Sequence, residues 1–406
     1  MVGARVALSA YTTLGLGGPA GRFVEASDDG ELIKAVREAD QAGEPVLVLG
    51  GGSNLVVADE GFPGTVIRVA SQGITADQDA GGDTVLVTVA AGEVWDRLVQ
   101  WSVTEGLAGL ECLSGIPGLA GATPIQNVGA YGQDVSETVT EVRAFDRERD
   151  EVIRLTSAEC EFGYRTSMLK RAAAGLATGR FIVLSVTFRL WRAEPGADRV
   201  EAGSGRVEAG AGRVEAGAGA GAHRAWARRG LSRPVKYAEL ARTLGVEVGG
   251  RVPLEEARSA VLALRRGKGM VVDPGDPDTR SAGSFFTNPI VSAAQFDELK
   301  QRVAERFGPE TKVPSFPAGE APPDGGPAEG AVKVPAAWLI ERAGFTKGYP
   351  AHGAVRISTK HTLALINPGG GTAADLLTLA GEIRAGVRSQ FGISLSNEPV
   401  LVGAAL

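Results

Sequence analysis

The sequence predicts an α+β protein, because strand-like and helix-like segments alternate irregularly along its first 190 residues. A regular alternation would instead indicate a doubly wound sheet. The chain has 406 residues, which is enough for two or three domains, each with its own core. An abrupt change of composition between Arg192 and Ser232 separates this first part from a second unit of helices and strands.

Hydrophobic periodicity predicts the elements of the first part. Leu32, Val36 and Ala39 recur at helical spacing and predict a helix from Glu31 to Gln41; a second helix is predicted from Glu93 to Glu105 on the same grounds. Short apolar runs predict strands at Val46–Leu49, Val66–Val69, Val85–Ala91, Val139–Phe145, Val152–Leu155 and Phe181–Leu190.

The second unit is dominated by helical spacing. Helices are predicted at Leu254–Arg266, Ala293–Phe307, Pro335–Ala343 and Ala373–Phe391. Three glycines and Thr372 precede the last of these helices. They resemble a phosphate-binding loop, but a helix start with Thr372 as the N-cap is the interpretation that we favour.

The segment between the two parts has low complexity. The heptamer R-V-E-A-G-[SA]-G occurs three times in residues 199–219. Its two glycines and single large apolar residue per repeat cannot build a coiled-coil seam, so residues 193–232 are predicted to form an insert without fixed structure. Residues 314–330, rich in Pro and Gly, are predicted to form a surface loop.

The composition excludes several classes of protein. The content of 44% hydrophobic and 22% charged residues is ordinary for a globular protein, and no apolar run approaches the length of a membrane span. A net charge of −6 argues against nucleic acid as the main partner. Cys112 and Cys160 provide neither a disulfide framework nor a metal site, which favours a reducing cytoplasm.

Two glycine-rich segments indicate a large ligand. Gly50-Gly51-Gly52-Ser53-Asn54 follows a predicted strand directly and presents amides that can hold phosphate oxygens, although it fits neither a nucleotide-hydrolysing phosphate loop nor the G-x-G-x-x-G pattern. The segment from Gly115 to Gly132 combines glycines, prolines and single polar side chains. It suggests a rigid wall lined by backbone, and an ordinary glycine-rich turn is the competing interpretation.

Three polar clusters interrupt apolar surroundings. Arg165, in Tyr-Arg-Thr-Ser, offers a fork for an anion, or is a salt-bridged surface residue. Ser284, in Ala-Gly-Ser-Phe-Phe-Thr-Asn-Pro, is a candidate proton donor, or a cap or turn residue. Glu398, in Asn-Glu-Pro-Val, is a candidate active-site carboxyl, or an edge-strand charge. The chain has three histidines and no G-x-S-x-G elbow, so nucleophilic hydrolysis is disfavoured.

Taken in order, these motifs resemble the UDP-N-acetylenolpyruvoylglucosamine reductase family. The resemblance is carried by GGGSN after VLVL, GIPG with ATPIQNVGAYG, FGYRTSMLK, AGSFFTNP, AAWLIERAGFTKG and the terminal Leu-x-x-Glu. It covers nearly the whole chain apart from the repeat and the Pro/Gly loop. Each motif is modestly specific, and six in the same order are strongly so.

The resemblance implies a domain plan. Residues 1–192 would form an FAD-binding domain of the vanillyl-alcohol-oxidase type, with lobes at about 1–72 and 73–192. Residues 233–392 would form an α/β substrate-binding domain, and residues 393–406 would return to the active site.

The resemblance also implies the site. Arg165, Ser284 and Glu398 would be catalytic, and no metal is expected. The substrate would contact Tyr164, Tyr237, Lys268, Asn288 and His361. FAD would contact Gly50, Gly51, Gly52, Ser53, Asn54, Leu55, Ile116, Gly118, Gly121, Pro124, Gln126, Asn127, Gly129, Ala130 and Tyr131.

The implied reaction is the NADPH-dependent reduction of UDP-N-acetylglucosamine enolpyruvate to UDP-N-acetylmuramate through FAD, in peptidoglycan synthesis. Arg165 would stabilise the enolate, Ser284 would protonate C2, and Glu398 would support the enol oxygen or the proton supply. FAD is expected to be non-covalent, because the first 190 residues contain no histidine to tether it. The protein is expected to be a cytoplasmic monomer that binds small molecules, with neither nucleic acid nor a membrane as partner.

The sequence departs from the family pattern at two places. Asn397-Glu398-Pro399-Val400 replaces the common Pro-Glu-Val-Arg, and Thr12-Thr13 replaces Asn-Thr. Two other functions stay open on this evidence: a sugar- or alcohol-oxidising flavoprotein of the same fold, and a non-catalytic regulator that binds nucleotide sugars.

Overall fold

The computed structural model describes residues 6–79, 82–173, 176–194, 230–318 and 330–406. The repeat at 199–219 and most of the predicted loop at 314–330 lie outside these residues, so both predictions stay untested. The two ends of the predicted insert meet, since the amide of Leu231 donates to the carbonyl of Glu194 at 3.0 Å. Across the described ranges, no helix combines the length and apolarity that spanning a membrane requires.

The first lobe is built on a parallel sheet of three strands. Its order is β1 (Ala20–Ala26), β4 (Phe62–Val69) and β2 (Val46–Leu49). Helix α1 (Asp29–Gln41) connects β1 to β2 and buries Leu32 and Val36. The helix starts where the Asp28 carboxylate accepts the Glu31 amide at 2.8 Å.

The second lobe is an antiparallel sheet of six strands. Its main path runs β11-β10-β12-β6-β5, and β7 pairs with the end of β12. The strands are β5 (Ile74–Gln78), β6 (Thr84–Ala90), β7 (Leu107–Ala108), β10 (Val139–Asp146), β11 (Glu151–Thr156) and β12 (Phe181–Arg192). Helix α2 (Trp95–Thr104) covers the sheet, and its Trp95 packs against Phe188 with ring centroids 5.8 Å apart. Both lobes share one continuous hydrophobic core.

Three short segments complete this half. They are β3 (Leu55–Val57) and the hairpin of β8 (Gly129–Ala130) with β9 (Gln133–Asp134). Short 3₁₀ turns lie at Leu8–Tyr11, Glu111–Leu113, Ala120–Ala122 and Val135–Glu137. The four-residue helix α3 (Met168–Arg171) is capped by Ser167, whose hydroxyl accepts the Lys170 amide at 3.2 Å.

The C-terminal half has its own core. A sheet of β13 (Ser281–Ser284), β18 (Ala364–Ile366) and β17 (Arg356–Ile357) packs with helices α6 (Ala293–Phe307), α7 (Ala336–Arg342) and α8 (Ala373–Phe391). A second small sheet joins β14 (Ile290–Val291), β16 (Val332–Lys333) and β15 (Phe316–Pro317), and a 3₁₀ turn lies at Pro277–Thr279. Thr372 caps α8 in a capping box with Asp375, which confirms the predicted helix start.

Helices α4 (Ala238–Leu244) and α5 (Leu254–Gly267) belong to the other half by packing. Leu240 and Val261 are buried with Cys112 rather than with the core of the C-terminal sheet. The Arg258 guanidinium of α5 also bonds both carboxylate oxygens of Asp96 on α2, at 2.7 and 2.8 Å. The first part of the predicted substrate domain thus packs on the predicted FAD-binding part.

The C-terminal strand joins the two halves. Strand β19 (Val400–Val402) pairs in parallel with β3, with Val400 opposite Leu55. Beside it, the Asp59 carboxylate accepts the amides of Ala373 and Ala374 at 2.8 and 3.0 Å, which caps α8 from the other half. This pairing places Glu398 next to the loop that precedes β3.

Candidate active site

The loop 50–54 follows β2 and leaves four consecutive amides free. Among the described residues, the amides of Gly51, Gly52, Ser53 and Asn54 donate no hydrogen bond. Successive unpaired amides form a concavity suited to the oxygens of a phosphate or diphosphate. The loop also lies at the carboxyl end of a parallel strand, where ligands of such sheets bind.

The glycine segment 115–132 lies directly against this loop. A Cβ on Gly51 would lie 2.7 Å from the Cα of Gly118, and one on Gly52 would lie 1.9 Å from the carbonyl oxygen of Tyr11. Gly52 and Gly118 have φ of 60° and 124°, which glycine adopts without strain. The Ser53 hydroxyl ties the two segments together by donating to the Pro117 carbonyl at 3.0 Å. We call these two segments, which are held backbone to backbone beside the four free amides of the loop, the glycine cradle; its amides suit the diphosphate of a dinucleotide such as FAD.

A chain of side chains leads from the loop to the C-terminal segment. The Asn54 amide donates to Gln126 Oε1 at 2.8 Å, and Gln126 Nε2 donates to Glu398 Oε1 at 2.9 Å. The pairing of β3 with β19 fixes the spacing, because the Val400 amide donates to the Asn54 carbonyl at 2.9 Å. The predicted cofactor residues Asn54 and Gln126 therefore also position Glu398.

Arg165 and Glu398 form the centre of the site. The Arg165 Nε lies 3.3 Å from Glu398 Oε1, with 22% and 15% of the two side chains exposed. The guanidinium also donates to the carbonyls of Asn127 at 3.3 Å and Gly129 at 2.6 Å. Burial raises the pKa of the Glu398 carboxyl, and the charges of Arg165 and Lys170 oppose this rise.

We call Arg165, Glu398, Gln126 and Lys170 the catalytic cluster. Lys170 Nζ donates to the Arg165 carbonyl at 3.0 Å and to Gln126 Oε1 at 3.4 Å. Each member therefore contacts two others. The cluster contains two cations and one carboxyl, so it is suited to receive a further negative charge.

Ser284 reaches the same place from β13. It pairs with Ala364 of β18 and is half-buried. The carbonyl of the next residue, Phe285, accepts the Glu398 amide at 2.8 Å. In the described part of the chain, the Ser284 hydroxyl bonds no other group and is free to meet a substrate. The structure thus brings the three predicted catalytic residues, Arg165, Ser284 and Glu398, to one site.

Tyr164 and Asn288 flank this centre. Arg165 and Lys333 lie on the Tyr164 ring, at 5.5 and 4.2 Å from its centroid. Burial raises the pKa of the Tyr164 phenol, and the neighbouring Arg165 and Asn288 oppose this rise. The Asn288 Oδ1 accepts the Ala336 amide at 2.9 Å, so this side chain also caps α7. Both residues stay predicted substrate contacts.

The other predicted substrate residues, Tyr237, Lys268 and His361, form a separate group with Tyr131 and Arg265, which we call the tyrosine cluster. The two tyrosine rings meet edge to face at 5.6 Å, and Lys268 Nζ lies 5.6 Å from the centre of the Tyr131 ring. Tyr131, predicted to contact FAD, thus lies among the predicted substrate residues.

Charge in the tyrosine cluster is positive and partly buried. Lys268 Nζ bonds Glu239 at 2.7 Å, and Arg265 Nη2 donates to the Met270 carbonyl at 2.8 Å, while the buried Arg265 Nε has no partner among the described residues. Burial, followed by the charges of Lys268, Lys347 and Arg265, lowers the pKa of His361 to about 4. The imidazole is therefore neutral at physiological pH.

The side chain of Asn127, which was predicted to contact FAD, is bonded within the protein. Its side chain is buried, donating to the Gly163 carbonyl at 3.0 Å and accepting the Ser136 amide at 3.2 Å. It holds the turn that carries Arg165, which leaves only its backbone for the predicted cofactor contact. The other predicted cofactor residues lie in the two glycine segments: Gly50, Leu55, Ile116, Gly121, Pro124, Gly129 and Ala130.

Sequence reasoning missed four charged residues at the site. Lys170, Arg265 and Lys333 lie in or beside the two clusters, and Asp134 Oδ1 lies 3.7 Å from Arg165 Nη1. Lys170 follows Arg165 by five positions and Arg265 precedes Lys268 by three, so proximity in sequence to an assigned residue was the available signal. Lys333 and Asp134 reach the site only through tertiary structure.

Two family models match the chain. Residues 20–156 match an FAD binding domain. Residues 276–402 match the C-terminal domain of UDP-N-acetylenolpyruvoylglucosamine reductase. The predicted fold class, an FAD-binding domain followed by a mixed helix-and-sheet domain, is therefore confirmed.

Relatives named UDP-N-acetylenolpyruvoylglucosamine reductase match nearly the whole chain. The protein of Thermobifida fusca is 54% identical, over 99% of this chain and 98% of its own length. That of Streptomyces coelicolor is 50% identical, over 98% and 90%. A crystal structure of UDP-N-acetylenolpyruvylglucosamine reductase from Thermus caldophilus shares the fold, with a TM-score of 0.56, 24% identity and 98% coverage of both chains. The chain therefore belongs to the UDP-N-acetylenolpyruvoylglucosamine reductase family and is an FAD-dependent oxidoreductase.

Proposed function

We propose that this protein reduces UDP-N-acetylglucosamine enolpyruvate to UDP-N-acetylmuramate for peptidoglycan synthesis, with NADPH as the reductant. The observation that supports this most strongly is the meeting of Arg165, Glu398 and the Ser284 segment at one site, beside a glycine cradle. Family membership at 54% identity supports the same reaction.

The cradle would hold FAD. The free amides of Gly51 to Asn54 would bind its diphosphate, and Gly118 would let the backbone approach it closely. When bound, FAD supplies the chemistry of passing a hydride from NADPH to the enolpyruvyl double bond. Non-covalent attachment agrees with the absence of histidine from the first 190 residues.

Arg165 would bind the substrate carboxylate and stabilise the enolate. The guanidinium is held by the Gly129 carbonyl at 2.6 Å and by Glu398, so it cannot swing away as negative charge develops. A donor that is positioned beforehand stabilises such a charge without reorganising. Its planar fork also matches a carboxylate better than a lysine would.

Ser284 would deliver the proton to C2 of the substrate. Its hydroxyl belongs to a strand end that is anchored by the Phe285–Glu398 backbone bond at 2.8 Å. Glu398, whose pKa is raised by burial, would support the enol oxygen or the route by which the serine proton is replaced.

The tyrosine cluster would bind the UDP diphosphate. Lys268 and Arg265 supply positive charge, and the Tyr237 ring, which meets Tyr131 edge to face, is partly exposed, with 44% of the residue exposed. His361, neutral at physiological pH, would contribute a hydrogen bond rather than charge.

We also infer that the protein acts as a cytoplasmic monomer without nucleic-acid or membrane partners. The net charge of −6 and the two buried free cysteines support this. Light scattering of the purified protein at increasing concentration would test the monomer, and a mass twice that of the chain would contradict it.

An anaerobic experiment with two half-reactions tests the proposed reaction. NADPH should bleach the flavin, and UDP-N-acetylglucosamine enolpyruvate added afterwards should restore its colour with formation of UDP-N-acetylmuramate. Recovery of colour with oxygen but not with the enolpyruvyl substrate would indicate an oxidase. Failure of NADPH to bleach the flavin would indicate a regulator.

A further inference from the structure

Lys170 lies in the catalytic cluster without an assigned role. It is the third residue of the short helix α3, five positions after Arg165. Its ammonium donates to the Arg165 carbonyl at 3.0 Å and to Gln126 Oε1 at 3.4 Å. It is half-buried and forms no ion pair with a carboxylate within the described ranges, unlike the surface lysine Lys236, which bonds Glu137 at 2.7 Å.

The backbone of Arg165 needs such a partner. Its φ is 55°, in the left-handed region that a non-glycine residue adopts at a cost. The tight turn around it is closed by the Gly163 amide, which donates to the Thr166 carbonyl at 3.0 Å. The Lys170 ammonium bonds the carbonyl of the strained residue itself, and so opposes relaxation of this turn.

The side-chain contacts close into a ring. Lys170 bonds Gln126, whose Nε2 donates to Glu398 Oε1 at 2.9 Å. The same Glu398 oxygen lies 3.3 Å from Arg165 Nε. The Arg165 carbonyl accepts the Lys170 ammonium, which completes the ring. A displacement of Lys170 would therefore reach both the guanidinium and the carboxyl.

We propose that Lys170 is a positioning residue, which holds Arg165 and Glu398 in the geometry required for the step that consumes the enolpyruvyl substrate. This inference rests on the proposed function. The alternative is that Lys170 only stabilises the local turn.

The ionisable groups that face the Glu398 carboxyl are Arg165, Lys170 and Tyr164. The two cations lower the pKa of Glu398, against the larger effect of burial. Removing the Lys170 charge therefore moves the ionisation of Glu398 to higher pH. This shift tests the contact between Lys170 and Glu398, whereas the positioning role is tested by a loss confined to reoxidation, which a purely structural role would not produce.

The test compares Lys170→Met, Lys170→Gln and Lys170→Arg in the FAD-loaded enzyme. Arg171→Met is the matched control, because Arg171 is a cation on the same helix whose guanidinium bonds Glu161 on the surface. The rates of flavin reduction by NADPH and of reoxidation by the substrate are measured across pH, together with FAD affinity and the melting temperature.

Lys170→Met should slow reoxidation by about 10²-fold, the scale for a small misplacement of reacting groups. The rate of reduction by NADPH and the affinity for FAD should change much less. The limb of the pH profile of reoxidation that belongs to Glu398 should move to higher pH. Lys170→Arg, which restores the cation, and Arg171→Met should both resemble the wild type. If Lys170→Met does not fold, slower reoxidation with unchanged reduction by NADPH in Lys170→Gln, and wild-type rates in Lys170→Arg, support the proposal.

Reoxidation at the wild-type rate in Lys170→Met would overturn the proposal. So would a parallel loss of both half-reactions and of the melting temperature, because that pattern indicates a structural role. A wild-type enzyme that the substrate does not reoxidise would instead refute the proposed function.

Discussion

The catalytic cluster and the tyrosine cluster differ in how completely their polar groups are paired. In the catalytic cluster, Arg165 is bonded to two carbonyls and to Glu398, all groups of the protein itself. In the tyrosine cluster, the buried Arg265 Nε lacks a partner within the described ranges, and Tyr237 is 44% exposed. We infer that the chemistry is preorganised, whereas the proposed diphosphate site is completed by its ligand.

Of the effects that distinguish the two clusters, the largest is expected in the catalytic cluster. Arg165→Met should slow reoxidation by the enolpyruvyl substrate by about 10²–10³-fold, the usual loss for one transition-state donor. Rapid mixing of reduced enzyme with substrate measures this rate. Arg171→Met is the control, and a loss confined to KM would show that Arg165 only binds the ground state.

The second effect concerns the pH profile of reoxidation, in which ionisation of the Glu398 carboxyl should produce one limb. Burial raises its pKa above the ordinary 4.5, so the limb that belongs to this carboxyl should lie above pH 4.5. The isosteric Glu398→Gln should remove that limb from the pH profile of reoxidation. Glu382→Gln, at a surface carboxyl that accepts the Tyr349 hydroxyl, is a control that should keep it. A limb that persists in Glu398→Gln would assign it to another group.

A smaller effect is expected in the tyrosine cluster. Lys268→Met should raise the KM for the enolpyruvyl substrate about 10- to 100-fold with little change in kcat, because a charged hydrogen bond contributes about 1.5–3 kcal/mol. Lys236→Met removes an exposed lysine paired with Glu137 and should leave KM unchanged. If Lys268→Met lowers kcat instead, the two clusters are not separate in function.

The last effect concerns His361 and changes stability rather than rate. Its pKa is lowered to about 4 from an ordinary 6.5, so the unfolded chain binds a proton that the folded protein does not. The contribution of His361 to the free energy of unfolding is complete above pH 6.5. It is lost as pH falls towards 4, by at most about 3 kcal/mol. Melting temperatures of His361→Gln should depend less on pH in this window, and the exposed His352→Gln should behave as wild type.

Long helices were predictable because their signal is local. The bounds of α6 and α8 agree with the predictions at both ends, and so do those of β2. Strand β4 begins four residues before its predicted start, at Phe62, because Pro63 and Gly64 obscure the strand pattern. Strand β3 was missed, because three residues are too few to show a hydrophobic period and because its partner β19 lies at the other end of the chain.

The site was predictable where a residue stands out from apolar surroundings. Arg165, Ser284 and Glu398 were found in this way, and the structure brings them together. The partners of these residues were not predictable, because the contacts of Lys170 and Asn127 depend on how distant loops pack.

The most direct test of the account is a single turnover by anaerobically reduced enzyme. On mixing with UDP-N-acetylglucosamine enolpyruvate, wild-type flavin should regain its oxidised absorbance as UDP-N-acetylmuramate forms. Ser284→Ala should be reduced normally by NADPH but reoxidised roughly 10²–10⁴-fold more slowly, as expected for loss of a positioned acid. Equal reoxidation rates in the two proteins, or none in the wild type, would contradict the account.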